Sequence, residues 1–185
     1  MMQEILSDAA DRMDKSIDAL RQELSKIRTG KATTALLDGV KVEYYGTMTP
    51  LNQTANISVL DPHTLSVQPW DKNALGAIDK AIKAADLGLN PSNDGVVIRV
   101  PIPALNEERR REFVKLVKRF GEETKIALRN IRRDANEHLK KAEKEDHVSE
   151  DARLKAEKDV QEMTDKHVTR VDELLKLKEA EIMEV

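Results

Sequence analysis

The chain has 185 residues, with 31 Lys and Arg against 34 Asp and Glu, and it contains no cysteine. Disulfides, thiol catalysis and cysteine-ligated metals are therefore excluded. Charged residues make up 35% of the chain and aromatic residues 3%, a balance typical of long helices. No run of about 18 apolar residues predicts a membrane span, and the acidic N-terminus does not resemble a signal peptide. We expect a soluble, cytoplasmic protein.

Residues 2–28 predict the first helix. Its apolar side chains recur at intervals of four and three residues, as in a heptad seam. They are Leu6, Ala9, Met13, Ile17, Leu20, Leu24 and Ile27. Gly30 is expected to end this helix as a left-handed cap.

Residues 31–105 differ in composition from the rest of the chain and predict a small inserted α/β domain. All six Pro, both Tyr and the single Trp of the chain lie in this stretch. Strands are predicted at residues 40–44, 57–60, 64–67 and 96–100, with an amphipathic helix at residues 73–85.

Residues 106–145 predict one long helix of about 60 Å, with Asn106 as its N-cap. Apolar residues fall on one stripe and predict a buried face. The opposite face is basic: Arg111, Lys115, Lys118, Lys125 and Arg133 lie within about 40° of Arg129, and Arg132 within about 60°. Such a face indicates nucleic acid or another polyanion. An ordinary solvated helix with unevenly mixed charges is the alternative.

The positions of the aromatic residues indicate which kind of nucleic acid the basic face would bind. Proteins that bind single strands stack bases on aromatic side chains. Phe113 and Phe120 both lie on the apolar stripe of the long helix and not on its basic face. Contact would therefore be made to phosphates and shape, as for folded RNA.

Ser149 predicts the N-cap of a third helix, which continues to the C-terminus, and a short connection makes the last two helices antiparallel neighbours. We predict an α+β protein: an elongated antiparallel three-helix bundle (residues 1–30 and 106–185) interrupted by the inserted domain. Two closely spaced crossings suggest a hinge at residues 29–31 and 101–105. Its candidate residues are Thr29, Gly30, Lys31, Pro101, Pro103, Ala104 and Leu105. A packed, immobile interface is the alternative.

No residue pattern indicates catalysis or a cofactor. The four His are scattered and none has metal-ligand spacing. The segment from Thr29 to Thr33 resembles the end of a phosphate-binding loop, but Ser25 and Ala32 stand where that loop needs glycine and a magnesium-binding hydroxyl. We therefore expect a non-enzyme without metal or cofactor.

Several segments together resemble the bacterial ribosome recycling factor family. They include Lys26-Ile27-Arg28-Thr29-Gly30-Lys31-Ala32, Val42-Glu43-Tyr44-Tyr45-Gly46-Thr47, Asp86-Leu87-Gly88-Leu89-Asn90-Pro91, Ile98-Arg99-Val100-Pro101 and Arg129-Asn130-Ile131-Arg132-Arg133-Asp134-Ala135-Asn136. The resemblance extends over essentially the whole chain.

This resemblance implies an L-shaped, tRNA-like monomer that works on post-termination ribosomes. Together with elongation factor G and GTP it would split the subunits, which initiation factor 3 then keeps apart. The bundle would lie on large-subunit ribosomal RNA, a contact to which residues matching Arg129, Arg132 and Arg133 belong in the family. The full set of candidate RNA-binding residues is Arg28, Arg110, Arg111, Lys115, Lys118, Lys125, Arg129, Arg132 and Arg133.

Two other functions stay open on the residues alone. A helical scaffold or nucleotide-exchange protein would also have long helices, but it should carry an apolar seam for dimerisation. A small enzyme in the inserted domain would need a pocket with converging polar groups.

Overall fold

The computed structural model describes residues 1–184 and confirms the α+β class. The chain forms two compact units. The first unit joins Met1–Arg28 to residues 107–184, and the second consists of Thr29–Asn106. The described residues form helices α1 (Met2–Ser25), α2 (Leu75–Ala84), α3 (Glu107–Glu145) and α4 (Glu150–Met183). Within residues 1–184 the strands are β1 (Lys41–Tyr44), β2 (Thr47–Pro50), β3 (Ala55–Asp61), β4 (Thr64–Pro69), β5 (Ser92–Asn93) and β6 (Ile98–Pro101).

The first unit is a bundle of α1, α3 and α4, and each of these helices packs on the other two. Its core contains the predicted heptad residues Ala9, Met13, Ile17, Leu20 and Leu24 of α1, whereas Leu6 is half-buried. Partner positions between α3 and α4 run in opposite directions, since Lys125 meets Asp172 whereas Arg132 meets Gln161. These two helices are therefore antiparallel.

Two details of the bundle differ from the sequence-based expectation. Helix α1 ends at Ser25, so Gly30, although its φ is +78°, lies too far along the chain to be the helix cap. On α4, Thr164 is buried although it is polar. Its hydroxyl donates to the carbonyl oxygen of Val160 at 2.8 Å, which satisfies the group within the helix and lets it enter the core.

The second unit contains a β1–β2 hairpin and a four-stranded antiparallel sheet in the order β3-β4-β6-β5. Buried side chains of the sheet, including Leu65, Val67 and Ile98, form one core with Ile78 and Ile82 of α2. Strands β2 and β5 were not predicted, because neither has the alternating apolar pattern of a half-buried strand. Helix α2 is preceded by a 3₁₀ turn, Lys72–Ala74.

None of the helices described, from residue 1 to residue 184, is long and apolar enough to cross a membrane.

Candidate nucleic-acid interface

Four of the predicted RNA-binding side chains form an exposed cationic surface on α3. Lys115, Lys118, Arg129 and Arg133 are all exposed, and within residues 1–184 none of them has an ion-pair or hydrogen-bond partner. Their positions on the helix place them within about 40° of one direction. We call these four residues the free cationic row. Unpaired cations that share one direction are suited to contact a phosphate backbone.

Acidic side chains limit the charge of this face. Arg111 is exposed and forms an ion pair with Glu107, one helical turn earlier. Glu122 is also exposed and lies between Lys118 and Arg129 on the same side of the helix. Exposed ion pairs of this kind are weak, at about 0–1 kcal/mol, so Arg111 can exchange its carboxylate partner for a phosphate.

Three other predicted side chains lie against the rest of the bundle. The Nζ atom of Lys125 is 2.7 Å from Asp172 Oδ1 on α4, and the Lys125 side chain is only 18% exposed. Arg132 is half-buried and donates from Nη1 to Gln161 Oε1 at 3.0 Å. Arg110 is also half-buried, and its Nε atom is buried without a hydrogen-bond partner in residues 1–184.

Gln161 and Asp172 were not identified from the sequence, although a signal for them exists. Folding an antiparallel helix pair about its connection, here residues 146–149, brings together positions that are about equally far from it. This register places α4 residues near Lys125 and Arg132, and it matches the observed pairs. Which of these side chains would turn toward α3 depends on packing that the sequence alone does not show.

Arg28 is exposed and follows the end of α1. It belongs to the bundle unit.

The predicted hinge residues of the second unit lie in two connections that contact each other. A Cβ atom added to Gly30 would lie 3.2 Å from the backbone nitrogen of Leu105. The ring Nδ1 of His63, in the β3–β4 turn, is 3.1 Å from the Gly30 carbonyl oxygen. The carbonyl oxygen of His63 accepts from the Ile102 N–H at 2.7 Å. Both connections are thus fastened to the same turn.

The remaining predicted hinge residues flank these contacts. Thr29 and Lys31 are half-buried on either side of Gly30. Pro101 ends β6 and pairs with Thr64 of β4, whereas Pro103 and Ala104 are exposed.

Metal-binding side chains do not cluster in the part of the chain that the structure describes. Within residues 1–184, no group of three or more His, Asp or Glu residues could hold a metal ion. A groove of about 430 Å³ lies between α1 and α4, and Asp14, Arg21, Lys166 and His167 are among its lining residues. His167 donates from Nδ1 to the Met163 carbonyl oxygen at 2.7 Å, and its Nε2 is 2.8 Å from Asp14 Oδ1. Both ring nitrogens are therefore used in bundle contacts.

Comparisons with known proteins agree over the full length. The family model described as ribosome recycling factor matches residues 20–183. The ribosome-recycling factor of Azoarcus sp. (strain BH72) is 52% identical over 185 residues, and that of Brevibacillus brevis is 54% identical over 185 residues, with all of both chains covered in each case. The factor of Burkholderia cenocepacia is 56% identical over 174 residues, which cover 94% of each chain.

Two solved structures show the same similarity. A solution structure of the ribosome recycling factor matches with a TM-score of 0.77 and 41% identity, covering 100% of this chain and 98% of the other. A Thermus thermophilus ribosome recycling factor, described with Escherichia coli elongation factor G on an E. coli post-termination complex, matches with a TM-score of 0.64 and 47% identity, covering all of both chains.

The fold and its relatives define a class, that of translation factors built from a helical bundle with an inserted β-sheet unit. Within that class, the chain belongs to the ribosome recycling factor family.

Proposed function

We propose that this protein acts in the cytoplasm, without catalytic chemistry of its own, to split post-termination ribosomes. Elongation factor G, with the GTP that it hydrolyses, would supply the work, and the released subunits would leave the mRNA. Initiation factor 3 would act downstream to keep them apart. Family membership supports this role, as does the similar Thermus thermophilus factor described in a post-termination complex with elongation factor G. We expect a monomer, because the three apolar stripes of the bundle cover one another within one chain.

The bundle would dock on ribosomal RNA of the large subunit. The observation that carries this proposal is the free cationic row, in which four cations share one direction and have no partner among residues 1–184. Phe113 and Phe120 are half-buried, so neither offers an open ring for base stacking. Binding would rest on phosphates and on the shape of the folded RNA, and affinity should fall linearly with salt on logarithmic axes.

Arg132 would contribute from the border of this surface. Its Nη1 atom is held by Gln161, whose Nε2 donates in turn to Asp165 Oδ1 at 2.9 Å. A guanidinium carries five N–H donors, so the bond to Gln161 leaves others for a phosphate. Fixing the side chain beforehand lowers the entropy that binding must remove.

The test compares two variants with the same change in charge. In the first, Lys118, Arg129 and Arg133 become Gln; in the control, Lys15, Lys155 and Lys166, which are equally exposed, become Gln. Exposed substitutions of this kind usually change stability by less than about 0.5 kcal/mol each. The first variant should lose large-subunit binding, and the slope of log affinity against log salt should flatten by about 2–3. The control should keep both.

Equal losses in the two variants would show that only net charge matters, and the cationic row would then not be the interface. Splitting is measured separately, by light scattering of post-termination ribosomes with elongation factor G and GTP. If the unmodified protein binds subunits and does not split ribosomes, the proposed function is wrong even though the interface is right.

We also propose that residues 29–31 and 101–105 act as a hinge. Support comes from the second unit, where both connections are bonded to the β3–β4 turn and so would move with it as one piece. The backbone of the two connections would then bend at Thr29 and between Ala104 and Asn106.

A further inference from the structure

The β1–β2 hairpin turns at Tyr45-Gly46 with an unusual residue in its first position. Both residues have positive φ, +49° for Tyr45 and +80° for Gly46. Two-residue turns with two positive φ values favour Asn-Gly, because Asn tolerates the left-handed region and glycine enters it freely. A bulky aromatic residue is strained there, and strain of this kind accumulates at functional sites.

Burial of the Tyr45 ring does not offset the backbone strain. Tyr45 is 78% exposed, so its ring gains little from removal from water. Its hydroxyl donates to Asp71 Oδ2 at 2.9 Å, and the Tyr44 hydroxyl donates to the same oxygen at 3.2 Å. The Tyr44 and Tyr45 rings meet edge to face, with centroids 4.4 Å apart. The ring is thus held in place at its edge and hydroxyl while much of its surface stays open.

An ordered, uncovered tyrosine is the kind of side chain that anchors interfaces. Tyr and Trp are enriched among the residues that dominate binding energy, and a ring fixed beforehand loses less entropy on binding. Trp70, next to Asp71 in the chain, is 68% exposed as well. Two exposed aromatic residues, one bonded to Asp71 and one adjacent to it in the chain, indicate an interaction surface.

Charge indicates which kind of partner this surface fits. The charge nearest to the ring is the Asp71 carboxylate, whose pKa is held below its ordinary value by the Asn73 N–H and the Tyr45 hydroxyl. Glu43 is exposed in the adjoining strand, and residues 29–106 hold seven acidic residues against six basic ones. Proteins that stack nucleic-acid bases use a positively charged groove around the aromatic residues. Here the charged group bonded to both tyrosines is a carboxylate, although the exposed Lys41 and Lys72 lie nearby in the chain. A cationic side chain can pack on a tyrosine face and pair with nearby carboxylates.

We infer that Tyr45, backed by Tyr44 and Asp71, forms a docking surface for a protein partner that presents an arginine or lysine side chain. The cation would lie over the open face of the Tyr45 ring, within reach of the Asp71 carboxylate. This inference rests on the proposed function, because the partner is sought among the proteins of the post-termination complex. It assigns to the inserted unit a contact separate from the RNA contact of the bundle.

The first test replaces the ring and keeps the turn. Tyr45→Asn installs the residue that this turn favours, so the thermal midpoint should stay the same or rise. Large-subunit binding should remain within about twofold, since the cationic row is untouched, and splitting with elongation factor G should slow at least fivefold. Tyr45→Phe keeps the aromatic face that attracts a cation and should split ribosomes at close to the normal rate. Normal splitting by Tyr45→Asn would overturn the inference.

The second test identifies what lies on the ring. A benzophenone amino acid replaces Tyr45, and the protein is irradiated on post-termination ribosomes with elongation factor G. We expect a cross-link that survives nuclease, is removed by protease, and maps to a peptide containing Arg or Lys. A cross-link to RNA would overturn the inference in favour of base stacking, and so would the absence of any cross-link from a bound protein. If unmodified protein fails to split ribosomes, the proposed function fails, and the cross-link still reports on the surface.

Discussion

At the scale of single residues, Gly121 of α3 lies directly against the Leu175 side chain of α4. A Cβ atom built at this position would lie 2.3 Å from Leu175 Cδ1. Glycine inside a helix costs about 1 kcal/mol relative to alanine, and here the Leu175 side chain occupies the space that a Cβ atom would need. The local loss of helix propensity in α3 is therefore accompanied by room for the Leu175 side chain of α4.

We expect Gly121→Ala to destabilise the bundle despite the better helix propensity. Overpacking a core costs about 1–3 kcal/mol, so the net loss should be up to about 2 kcal/mol, measured by urea unfolding followed by circular dichroism. Gly76→Ala is the matched control, because a Cβ atom there meets nothing within 4 Å; it should stabilise α2 by about 0.5–1 kcal/mol. Adding Leu175→Ala should offset part of the Gly121→Ala loss. Simple additivity would contradict the steric explanation.

Asp71 provides a second prediction, for the dependence of stability on pH. The Asn73 N–H donates to Asp71 Oδ1 at 2.9 Å, and this bond and the Tyr45 hydroxyl hold the Asp71 pKa below its ordinary value. Because the pKa is lower in the folded state, the ionised carboxylate stabilises the fold above the ordinary aspartate pKa. That stabilisation is lost as pH falls through the lowered pKa.

Asp71→Asn should therefore weaken the second unit at neutral pH, and the difference from the parent should shrink in acid. The single Trp of the chain, Trp70, is adjacent and reports on this unit by fluorescence during urea unfolding. The doubly substituted Tyr44→Phe, Tyr45→Phe protein keeps the Asn73 bond and should show a smaller effect of pH on the Asp71→Asn difference. A difference that does not change with pH would refute the electrostatic account.

At the scale of elements, the start of α4 depends on one side chain. Ser149 has extended backbone angles, and its Oγ accepts from the Ala152 N–H at 3.2 Å, as its position before Glu150 and Asp151 predicted. Ser149→Ala should cost about 1 kcal/mol of bundle stability, measured by urea unfolding with circular dichroism. Ser149→Asp keeps an acceptor at the cap and should restore most of the loss; if both variants lose equally, the cap is not the cause.

The long elements could be predicted from the sequence, because their patterns repeat many times. Helix α3 has enough turns for the spacing of Val117, Leu128, Ile131, Ala135 and Leu139 to fix both its type and its buried face. Strand β5 could not be predicted, since Ser92 and Asn93 are two exposed polar residues defined only by their pairing with β6. Short elements of this kind depend on their neighbours more than on their own residues.

For the cationic surface, the sequence could predict which basic residues point the same way from α3, but not which of them are exposed. Helical geometry placed Lys125 near Arg129 correctly, but it could not show that Asp172 approaches from α4 and leaves the Lys125 side chain only 18% exposed. Gly46 predicted a turn between the first two strands, but the positive φ of Tyr45 in that turn was not identified. Its signal was the Tyr-Gly pair between two short strands, at a place where turn statistics favour Asn-Gly.

At the scale of the whole molecule, His63 offers a way to test the hinge without touching either connection. His63→Ala removes the ring bond to the Gly30 carbonyl oxygen and leaves the backbone bond between His63 and Ile102 intact. We expect a wider range of distances between the two units, slower splitting, and large-subunit affinity within a few fold. Because the chain has no cysteine, dyes can be attached at Lys80→Cys on α2 and Lys155→Cys on α4 for single-molecule energy transfer.

His138→Ala, at an exposed position of α3, is the control and should leave the distance distribution unchanged. An unchanged distribution in His63→Ala would mean that the bond to Gly30 does not restrain the connection.

The insertion of one unit within the other also sets an order of events during synthesis. Arg12 of α1 pairs with Asp134 at 2.9 Å, and Asp14 of the same helix meets His167. At about 5–20 residues per second, α1 leaves the synthesising ribosome on the order of ten seconds before its last partner. The inserted unit is contiguous in the chain and can fold within that interval. During those seconds the inserted unit is folded, while the N-terminal segment that becomes α1 still lacks the helices that cover its apolar face. A chaperone could bind this exposed apolar face at that stage.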